Sequence, residues 1–396
     1  MSPGTTLRVC RPRVLAVAIA GLPLAAAAVL SVPQAGASKV GDDHLPFSER
    51  ALRAAAAASG DAGNAGVRVP TDATRLISGL DNPRQLSRTE GGALVVAEAG
   101  HANPNNCGRD ACVGFSGKVS LVKHGNKRVV MRRLISLAGP DGSFAVGPDG
   151  ASKTPGGPFL AVETFAPPRL LPPGTDTKQL GKLLARKVPG GVTHIRANIT
   201  AFERKHDPDG EGFDSNPYSV LGLKGQTLVA DAAGDSILQL KGGKLRLWAE
   251  LDPGPKLDAV PTVISKGGNG HIYVGTLWSE KPGAARVFEF TRAGRLLHVY
   301  RGFTGITGVA ASRDGTLYVS ELFSGCGFDQ APQCFPGRVV KANTGGDGRS
   351  HMRVPFPAGI VTAKGDSVRV AAWSIAPSSG FEGNPRYSGR ILRLHF

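Results

Sequence analysis

Four acidic side chains each follow a short apolar stretch, at the position where a β-strand would end: Glu98, Glu163, Asp231 and Glu321. If these stretches line one opening, four carboxylates converge on it and repel one another. They would then bind a hard cation such as Ca²⁺, or their pKa values would rise. Either outcome suits a hydrolase or lyase that uses them as metal ligands or as a general base. The alternative is that each acid accepts hydrogen bonds from a neighbouring backbone and serves packing.

A second group of polar residues precedes strand-like segments, in the motifs Asn82-Pro83-Arg84 and Asp214-Ser215-Asn216-Pro217-Tyr218. Proline fixes the approach of the chain and asparagine can cap a turn, so turn chemistry alone explains the motifs. The other interpretation is that the side chains face the opening and contact a ligand. The candidate ligand-binding residues are then Asn82, Arg84, Asp214, Asn216 and Tyr218.

An acidic, glycine-rich run, Asp207-Pro208-Asp209-Gly210-Glu211-Gly212-Phe213-Asp214, resembles the start of a calcium-binding loop. Asp207, Asp209 and Glu211 match the first three ligand positions of an EF-hand, and Gly212 matches its bend. The twelfth position is Tyr218 where the EF-hand has glutamate. The run therefore predicts either weak Ca²⁺ binding or a solvated loop.

The elements that would position these residues form a repeat. Its unit is a polar turn ending in glycine, a short β-prone strand, a loop and a second strand, with anchors at Leu94, Leu228, Ile272, Leu317 and Val368. The last three steps are 44, 45 and 51 residues, and a weaker copy at Gly157–Glu163 gives a sixth unit. A period of 40–50 residues with about four short strands is typical of a β-propeller blade. The sequence therefore predicts an all-β, six-bladed propeller over residues 71–396.

A propeller must close, and the chain offers a way to do so. The strand-like Arg75–Ser78 precedes the first unit, and Arg390–His395 ends the last, so their pairing would remove an open sheet edge. Residues from about 175 to 217 break the period. This stretch predicts an insertion with one or two short helices over one face of the propeller, and long insertions are often functional.

The N-terminal residues predict export. Arg8, Arg11 and Arg13 precede an apolar stretch and an Ala35-Gly36-Ala37 site, which is the layout of a signal peptide over residues 1–37. An Ala- and Gly-rich flexible lead over 38–70 follows. No second apolar run of spanning length occurs, so we expect no transmembrane span after cleavage. We expect a secreted or wall-associated protein that acts as a monomer.

Charge and cysteine usage agree with that location. The chain carries a formal net charge of +16 with its basic residues scattered, and aromatics do not interleave with them, which argues against a nucleic-acid partner. After cleavage four cysteines remain, Cys107, Cys112, Cys326 and Cys334. Outside the cytosol two local pairs predict the disulfides Cys107–Cys112 and Cys326–Cys334, with zinc as the rival interpretation.

Two sets of motifs resemble known families. Asp314-Gly315-Thr316-Leu317-Tyr318-Val319-Ser320-Glu321 is similar to NHL-type propeller repeats. Asn198–Glu203, Asp207–Gly210 and Asp214–Tyr218 together resemble the secreted ScyD/ScyE family, and the resemblance covers roughly residues 75–396. It implies a six-bladed exported propeller with no assigned reaction. Residues 139–175 depart from a clean blade pattern.

Two functions follow as expectations. The first is an exported module that binds a small molecule, a cell-wall polymer or a secreted protein on the face bearing the insertion. The second is a metal-dependent, lactonase-like hydrolase or lyase whose central tunnel is lined by the four carboxylates, with Ca²⁺ as the candidate cofactor. A propeller fold alone does not choose between them.

Overall fold

The computed structural model describes residues 73–108, 111–251, 258–277, 282–325, 336–343 and 348–396. The predicted signal peptide and lead, residues 1–70, lie outside the described residues, and so do Cys326 and Cys334. Within the described part, strands dominate and a single α-helix of eight residues occurs. This part of the chain contains no helix with the length and apolar character needed to cross a bilayer.

The described strands form six antiparallel four-stranded sheets, the blades of a propeller. Blades 1 and 2 contain β2 (Pro83–Arg88), β3 (Leu94–Glu98), β4 (Cys112–Lys123), β5 (Asn126–Ala138), β6 (Pro148–Lys153), β7 (Phe159–Glu163), β8 (Lys182–Arg186) and β9 (His194–Asn198). Blades 3 and 4 contain β10 (Pro217–Leu223), β11 (Gln226–Asp231), β12 (Ser236–Lys241), β13 (Lys244–Glu250), β14 (Pro261–Lys266), β15 (Ile272–Thr276), β16 (Ala285–Phe290) and β17 (Leu296–Phe303). Blade 5 contains β18 (Ile306–Ala311), β19 (Leu317–Glu321), β20 (Gly337–Ala342) and β21 (Arg349–Val354).

Blade 6 closes the ring as the sequence predicts. It contains β22 (Ile360–Thr362), β23 (Ser367–Ala372), β24 (Gly389–His395) and, from the other end of the domain, β1 (Ala73–Leu80). Strand β1 pairs antiparallel with β24, with Ala73 opposite Leu394 and Leu80 opposite Gly389. Because this pairing ties the two ends of the propeller together, the outer edge of blade 6 is formed by residues that precede blade 1.

The first strands of neighbouring blades contact one another, so they surround the axis. At least one hydrogen bond crosses each junction at this level, and one from each junction together form a closed ring. The ring consists of Ser87 Oγ to Ala151 O (2.9 Å), Gly222 N to Ser152 Oγ (3.1 Å), Ile264 N to Ser219 Oγ (3.0 Å), Thr262 Oγ1 to Ile306 O (2.6 Å), Thr307 Oγ1 to Pro357 O (2.7 Å) and Gly359 N to Arg84 O (3.2 Å).

The buried side chain of Gln85 crosses the axis from blade 1. Its Oε1 accepts hydrogen bonds from Ala151 N and Val220 N, both at 3.1 Å. Its Nε2 donates to Val220 O at 3.1 Å and to Ile264 O at 3.4 Å. These partners lie in blades 2, 3 and 4, and blade 4 is opposite blade 1 in a six-membered ring. The channel is therefore closed at this level by a side chain.

The apolar core lies between the blades. One continuous cluster joins blades 3, 4 and 5 and includes the fully buried Leu228, Val274 and Val319, each in the second strand of its blade. A second cluster joins blades 1 and 2 through Val95 and Ala161. Alternating residues of these strands face opposite neighbours, so both faces of each blade are buried and the strands are almost continuously apolar.

Tight turns connect the outer strands of the blades. His124 and Gly125 connect β4 to β5 with φ values of 51° and 79°, and Gly242 and Gly243 connect β12 to β13 with 58° and 77°. A two-residue type I′ turn needs positive φ at both positions, which glycine adopts at little steric cost. The glycine-ended turns of the repeat thus serve the hairpin geometry that the sequence predicts.

The predicted insertion at 175–217 differs from the structure in its extent. Two parts of it, β8 and β9, are the third and fourth strands of blade 2. The segments outside the blade are residues 164–181 and a helix, α1 (Ile199–His206), with the loop that follows it. The apolar run Leu183-Leu184 fits a strand or a helix equally well over so short a length. In α1, Asn198 is the N-cap and accepts a hydrogen bond from Ala201 N at 3.0 Å.

Candidate functional site

The four carboxylates predicted to line the channel lie one strand outward from the first strands that surround the axis. Each ends the second strand of its blade, not the first, and each is fully buried. They belong to blades 1, 2, 3 and 5, and within the described residues they do not form a group whose oxygens lie within ligand distance of one another. The structure therefore does not assemble the four-carboxylate ring that the sequence suggests.

Three of the four acids form hydrogen bonds or ion pairs that hold loops and neighbouring strands together. Glu98 accepts a hydrogen bond from Asp81 N at 2.9 Å and lies 3.5 Å from Lys127 Nζ. Asp231 accepts from Asn216 N at 2.5 Å and from Ser215 Oγ at 2.7 Å. Glu321 accepts from Thr304 N at 2.9 Å and pairs with Arg338 Nε at 2.6 Å. These contacts match the packing role that the sequence left as the alternative.

The fourth acid, Glu163, has a different environment. Among the described residues neither of its carboxylate oxygens has a hydrogen-bond partner. Burial, and then the nearby charge of Asp149, raises the pKa of Glu163 well above its usual range. Asp149 is also fully buried; burial raises its pKa to about 7, although Arg84 opposes that rise from 3.5 Å. Two buried carboxyl groups thus lie near each other, one at the start of β6 and one at the end of β7, and burial favours the neutral form of each.

Two predicted ligand-binding residues border this pair. Arg84 is buried, and besides facing Asp149 it donates a hydrogen bond to Ala145 O. Tyr218 lies beside Arg84; burial raises the pKa of its hydroxyl to about 12 against the lowering effect of Arg84. The structure therefore brings Arg84 and Tyr218 together, in a place that is closed to solvent. Asp149 was missed because Asp149-Gly150 has the form of a turn dipeptide.

The other predicted contact residues fix loops. The amide of Asn82 donates to Gly100 O at 2.7 Å and to Gly142 O at 2.9 Å, so it joins three loops. Asn216 Oδ1 accepts from Thr164 Oγ1 at 2.8 Å. Asp214 is half-buried, and burial followed by the charge of Asp231 raises its pKa to about 7.

The predicted disulfide Cys107–Cys112 is present and fixes the loop between β3 and β4. The predicted Cys326–Cys334 pair lies outside the described residues.

An open groove lies on the outer side of blades 1 and 2, away from the axis. It encloses about 760 Å³, and its lining includes Phe115, Arg132, Arg133, Asp176, Arg186 and Thr193. This volume is in the range of small-ligand sites. Three guanidinium groups and one carboxylate make the groove basic, and the half-exposed ring of Phe115 adds an apolar surface. We call this feature the arginine groove.

A β-bulge builds one wall of the arginine groove. In the pairing of β4 with β5, Gly117 faces Leu134 and Lys118 faces Arg132, so Arg133 is the extra residue. Its φ is 61°, a left-handed conformation that is uncommon for a side-chain-bearing residue. Bulges redirect side chains and recur near functional sites. As a result, Arg132 and Arg133 are both exposed although they are adjacent in a strand.

Gln179 holds the opposite wall against the bulge. Its Oε1 accepts a hydrogen bond from Ile135 N at 2.9 Å and its Nε2 donates to Arg133 O at 3.1 Å. The two bonds flank the bulge, where the strand ladder is interrupted. Because Gln179 belongs to the segment 164–181, this contact attaches that segment to blade 1 and completes the groove.

Arg186 closes the inner end of the groove. Its Nε and one terminal nitrogen donate to Thr193 Oγ1 at 3.0 and 2.8 Å, and its other terminal nitrogen donates to Val130 O at 3.3 Å. Burial, and then the charge of Arg132, lowers the pKa of Arg186. The guanidinium groups are therefore close enough to repel one another, a cost that a bound anion would relieve.

The sequence carries a signal for the groove. Strict alternation in Val129-Val130-Met131-Arg132-Arg133-Leu134 would bury one of the two arginines. Two adjacent charges inside a strand pattern therefore indicate a bulge. The long connection between β7 and β8 gives no comparable signal for Gln179, since its partners lie 44 and 46 residues away.

Comparisons with known proteins show no family for this chain. No family model matches the chain, and no curated protein matches it. Among solved structures, the chain is similar to the calcium-binding protein regucalcin from Agrobacterium tumefaciens, at 12% identity and a TM-score of 0.49, covering 80% of this chain and 90% of that one. It is also similar to the PQQ-bound aldose sugar dehydrogenase from Streptomyces coelicolor, at 11% identity and a TM-score of 0.42, covering 82% and 99%. At these values the likeness carries no conclusion about activity.

Proposed function

We propose that this protein is an exported binding module whose arginine groove binds an acidic polysaccharide. The observation that supports this most strongly is the grouping of Arg132, Arg133 and Arg186 in one open groove of about 760 Å³. A guanidinium group matches the planar carboxylate, and it also pairs well with sulfate and phosphate. Phe115 at the same groove offers an apolar face of the kind on which a sugar ring can lie.

The wider setting agrees with this proposal. The net charge of +16 attracts polyanions at long range, and the N-terminal signal pattern predicts export to where wall polymers occur. The same proposal includes three expectations from the sequence. They are the resemblance to the ScyD/ScyE family, action as a monomer and release from the cell. In it, the segment 164–181 serves the binding site by supplying Gln179 and Asp176 to the groove.

Binding can be tested with two defined probes. The secreted protein is titrated with polygalacturonate and with neutral dextran of similar length, in calorimetry at low and at physiological salt. We expect binding to polygalacturonate alone, weakening as salt rises because the contacts are ionic. Replacing both Arg132 and Arg133 with glutamine should weaken binding at least tenfold.

A matched variant controls for the loss of net charge. Arg128 and Arg353 are exposed and lie on β5 and β21, outside the groove lining. Arg128→Gln with Arg353→Gln removes the same two charges and should change the affinity less than twofold. If the two double variants weaken binding equally, binding depends on the net charge alone. That result would rule out the arginine groove as the binding site.

A second candidate function rests on the Asp149–Glu163 pair. Two neighbouring buried carboxyl groups, with Arg84 and Tyr218 adjacent, are groups that an acid–base hydrolase of the lactonase-like kind would use. This candidate requires the buried place to open to its substrate. Its test is hydrolysis of glucono-δ-lactone in a pH-stat, with and without added Ca²⁺. The candidate requires activity that Glu163→Gln abolishes and that exposed Glu250→Gln leaves unchanged.

A further inference from the structure

Three carboxylates of the helix–loop segment in front of blade 3 converge, independently of the arginine groove. Glu203 lies in the last turn of α1, Asp207 is the C-cap of that helix, and Asp209 follows in the loop. One carboxylate oxygen from each residue lies within 4.8 Å of the other two. Such a set of three oxygens from one short segment is a donor set that suits a hard divalent cation.

Glu203 is the member that points to a missing ligand. It is fully buried, and among the described residues neither of its oxygens has a hydrogen-bond partner. Its carboxylate lies against the backbone of Gly234 in the loop between β11 and β12, where an added Cβ would be 2.5 Å from Oε2. A buried carboxylate without a donor is strongly unfavourable unless a proton or a cation compensates it.

The surroundings of Glu203 favour a cation. Four further acids lie close enough to Glu203 to act on it electrostatically: Asp231, Asp209, Asp207 and Asp214. The next residue of the helix, Arg204, lies over the ring of Phe213, with 4.3 Å between the guanidinium carbon and the ring centroid. The C-terminal end of α1 adds partial negative charge at the same place.

The loop after α1 is folded so that Asp207 and Asp209 lie near Glu203. Asp207 has a φ of 43°, and its Oδ1 accepts a hydrogen bond from Gly212 N at 3.0 Å. Asp209 Oδ1 accepts from Glu211 N at 3.0 Å. These bonds hold both aspartates in the turn after the helix, and each leaves a second carboxylate oxygen for another ligand.

We propose that Glu203, Asp207 and Asp209 bind one divalent cation of the calcium class. The site differs from the EF-hand pattern of the sequence at two positions, and the first difference is that Glu211, the third residue of that pattern, is not in the cluster. The glutamate that an EF-hand places at its twelfth position is replaced here by a helical glutamate four residues before the first aspartate. The ion joins the helix α1 to the loop that follows it, and the remaining coordination positions are filled by water and backbone carbonyl oxygens.

Calcium titration of the secreted protein tests the site. After chelator treatment and removal of the chelator, calorimetry with CaCl₂ should show one site with a dissociation constant on the order of 10⁻⁵–10⁻³ M, the range of sensor and extracellular sites. Glu203→Gln should weaken binding at least tenfold. It should also abolish the rise in melting temperature that saturating Ca²⁺ gives the unmodified protein.

Two further variants make the result decisive. Glu250→Gln, an exposed acid of the same blade, should bind Ca²⁺ like the unmodified protein. Asp209→Asn, in the loop, provides the same test as Glu203→Gln if the buried substitution disturbs folding, and should also weaken binding at least tenfold. The absence of Ca²⁺ binding, or affinity unchanged in both site variants, would overturn the proposal.

Discussion

The buried strand-end carboxylates of this protein differ mainly in whether a hydrogen-bond donor or a cation contacts them. Glu98, Asp231 and Glu321 have backbone or cationic partners and act as locks between strands. Glu163 has none among the described residues and adjoins Asp149. The same strand-end position therefore holds two kinds of acid. The sequence predicts the position of these residues and cannot predict the partners, since the partners come from separate loops.

The Asp149–Glu163 pair predicts a pH dependence of stability. Both carboxyl groups have raised pKa values in the folded protein, Asp149 to about 7, against about 4 in an unfolded chain. The folded state therefore binds more protons between pH 4 and 7. The free energy of unfolding should decrease as pH rises through this range, because deprotonation favours the unfolded chain.

Glu163→Gln isolates this contribution. The amide keeps the shape of the protonated carboxyl and does not titrate, so the variant should lose less stability between pH 5 and pH 8 than the unmodified protein. The expected difference is about 1–3 kcal/mol in urea unfolding. Glu250→Gln, at an exposed position, should reproduce the unmodified profile. Parallel profiles for Glu163→Gln and the unmodified protein would contradict the raised pKa of Glu163.

At the scale of elements, irregularities carry the candidate site. The repeat predicts regular blades, and regular strands would bury one of Arg132 and Arg133. The bulge at Arg133 exposes both, and Gln179 satisfies the backbone groups at the bulge. The helix α1 was predictable from the spacing of Ile199 and Phe202. Strand β8 was not, because its short apolar run fits two periodicities.

Gln179→Ala tests the link between the bulge and the segment 164–181. The substitution removes two hydrogen bonds and leaves Ile135 N and Arg133 O without these partners, which should lower the free energy of unfolding by about 1–3 kcal/mol. Affinity for polygalacturonate should fall as well, because one wall of the groove loosens. Binding and stability both equal to the unmodified values would show that Gln179 does not hold this wall.

At the scale of the whole molecule, the propeller is closed twice. Strand β1 completes blade 6, and Gln85 connects blades 1, 2, 3 and 4 across the axis. The period and the two end strands predict the first closure. The second could not be predicted, since Gln85 reaches a backbone oxygen 179 residues away and nothing in its local sequence indicates that partner.

Gln85→Ala should therefore weaken the whole ring. It leaves Ala151 N, Val220 N and Val220 O near the axis without their present partners, although water entering the opened channel would satisfy part of them. We expect the free energy of unfolding to fall by about 2–4 kcal/mol in urea. Gln226→Ala, at the partly exposed start of β11, should lower the free energy of unfolding by less than about 1 kcal/mol. An equal loss of stability in both variants would argue against an axial role for Gln85.

The most direct test of the account is a map of where an acidic polysaccharide binds. Amide hydrogen exchange of the secreted protein is measured by mass spectrometry with and without saturating oligogalacturonate. The account predicts slower exchange in peptides covering 126–138 and 164–193, which carry the arginine groove, and unchanged exchange in blades 4 and 5. Slower exchange around β2, β6 and β10, with none at the groove, would contradict it and move the binding site to the axial mouth.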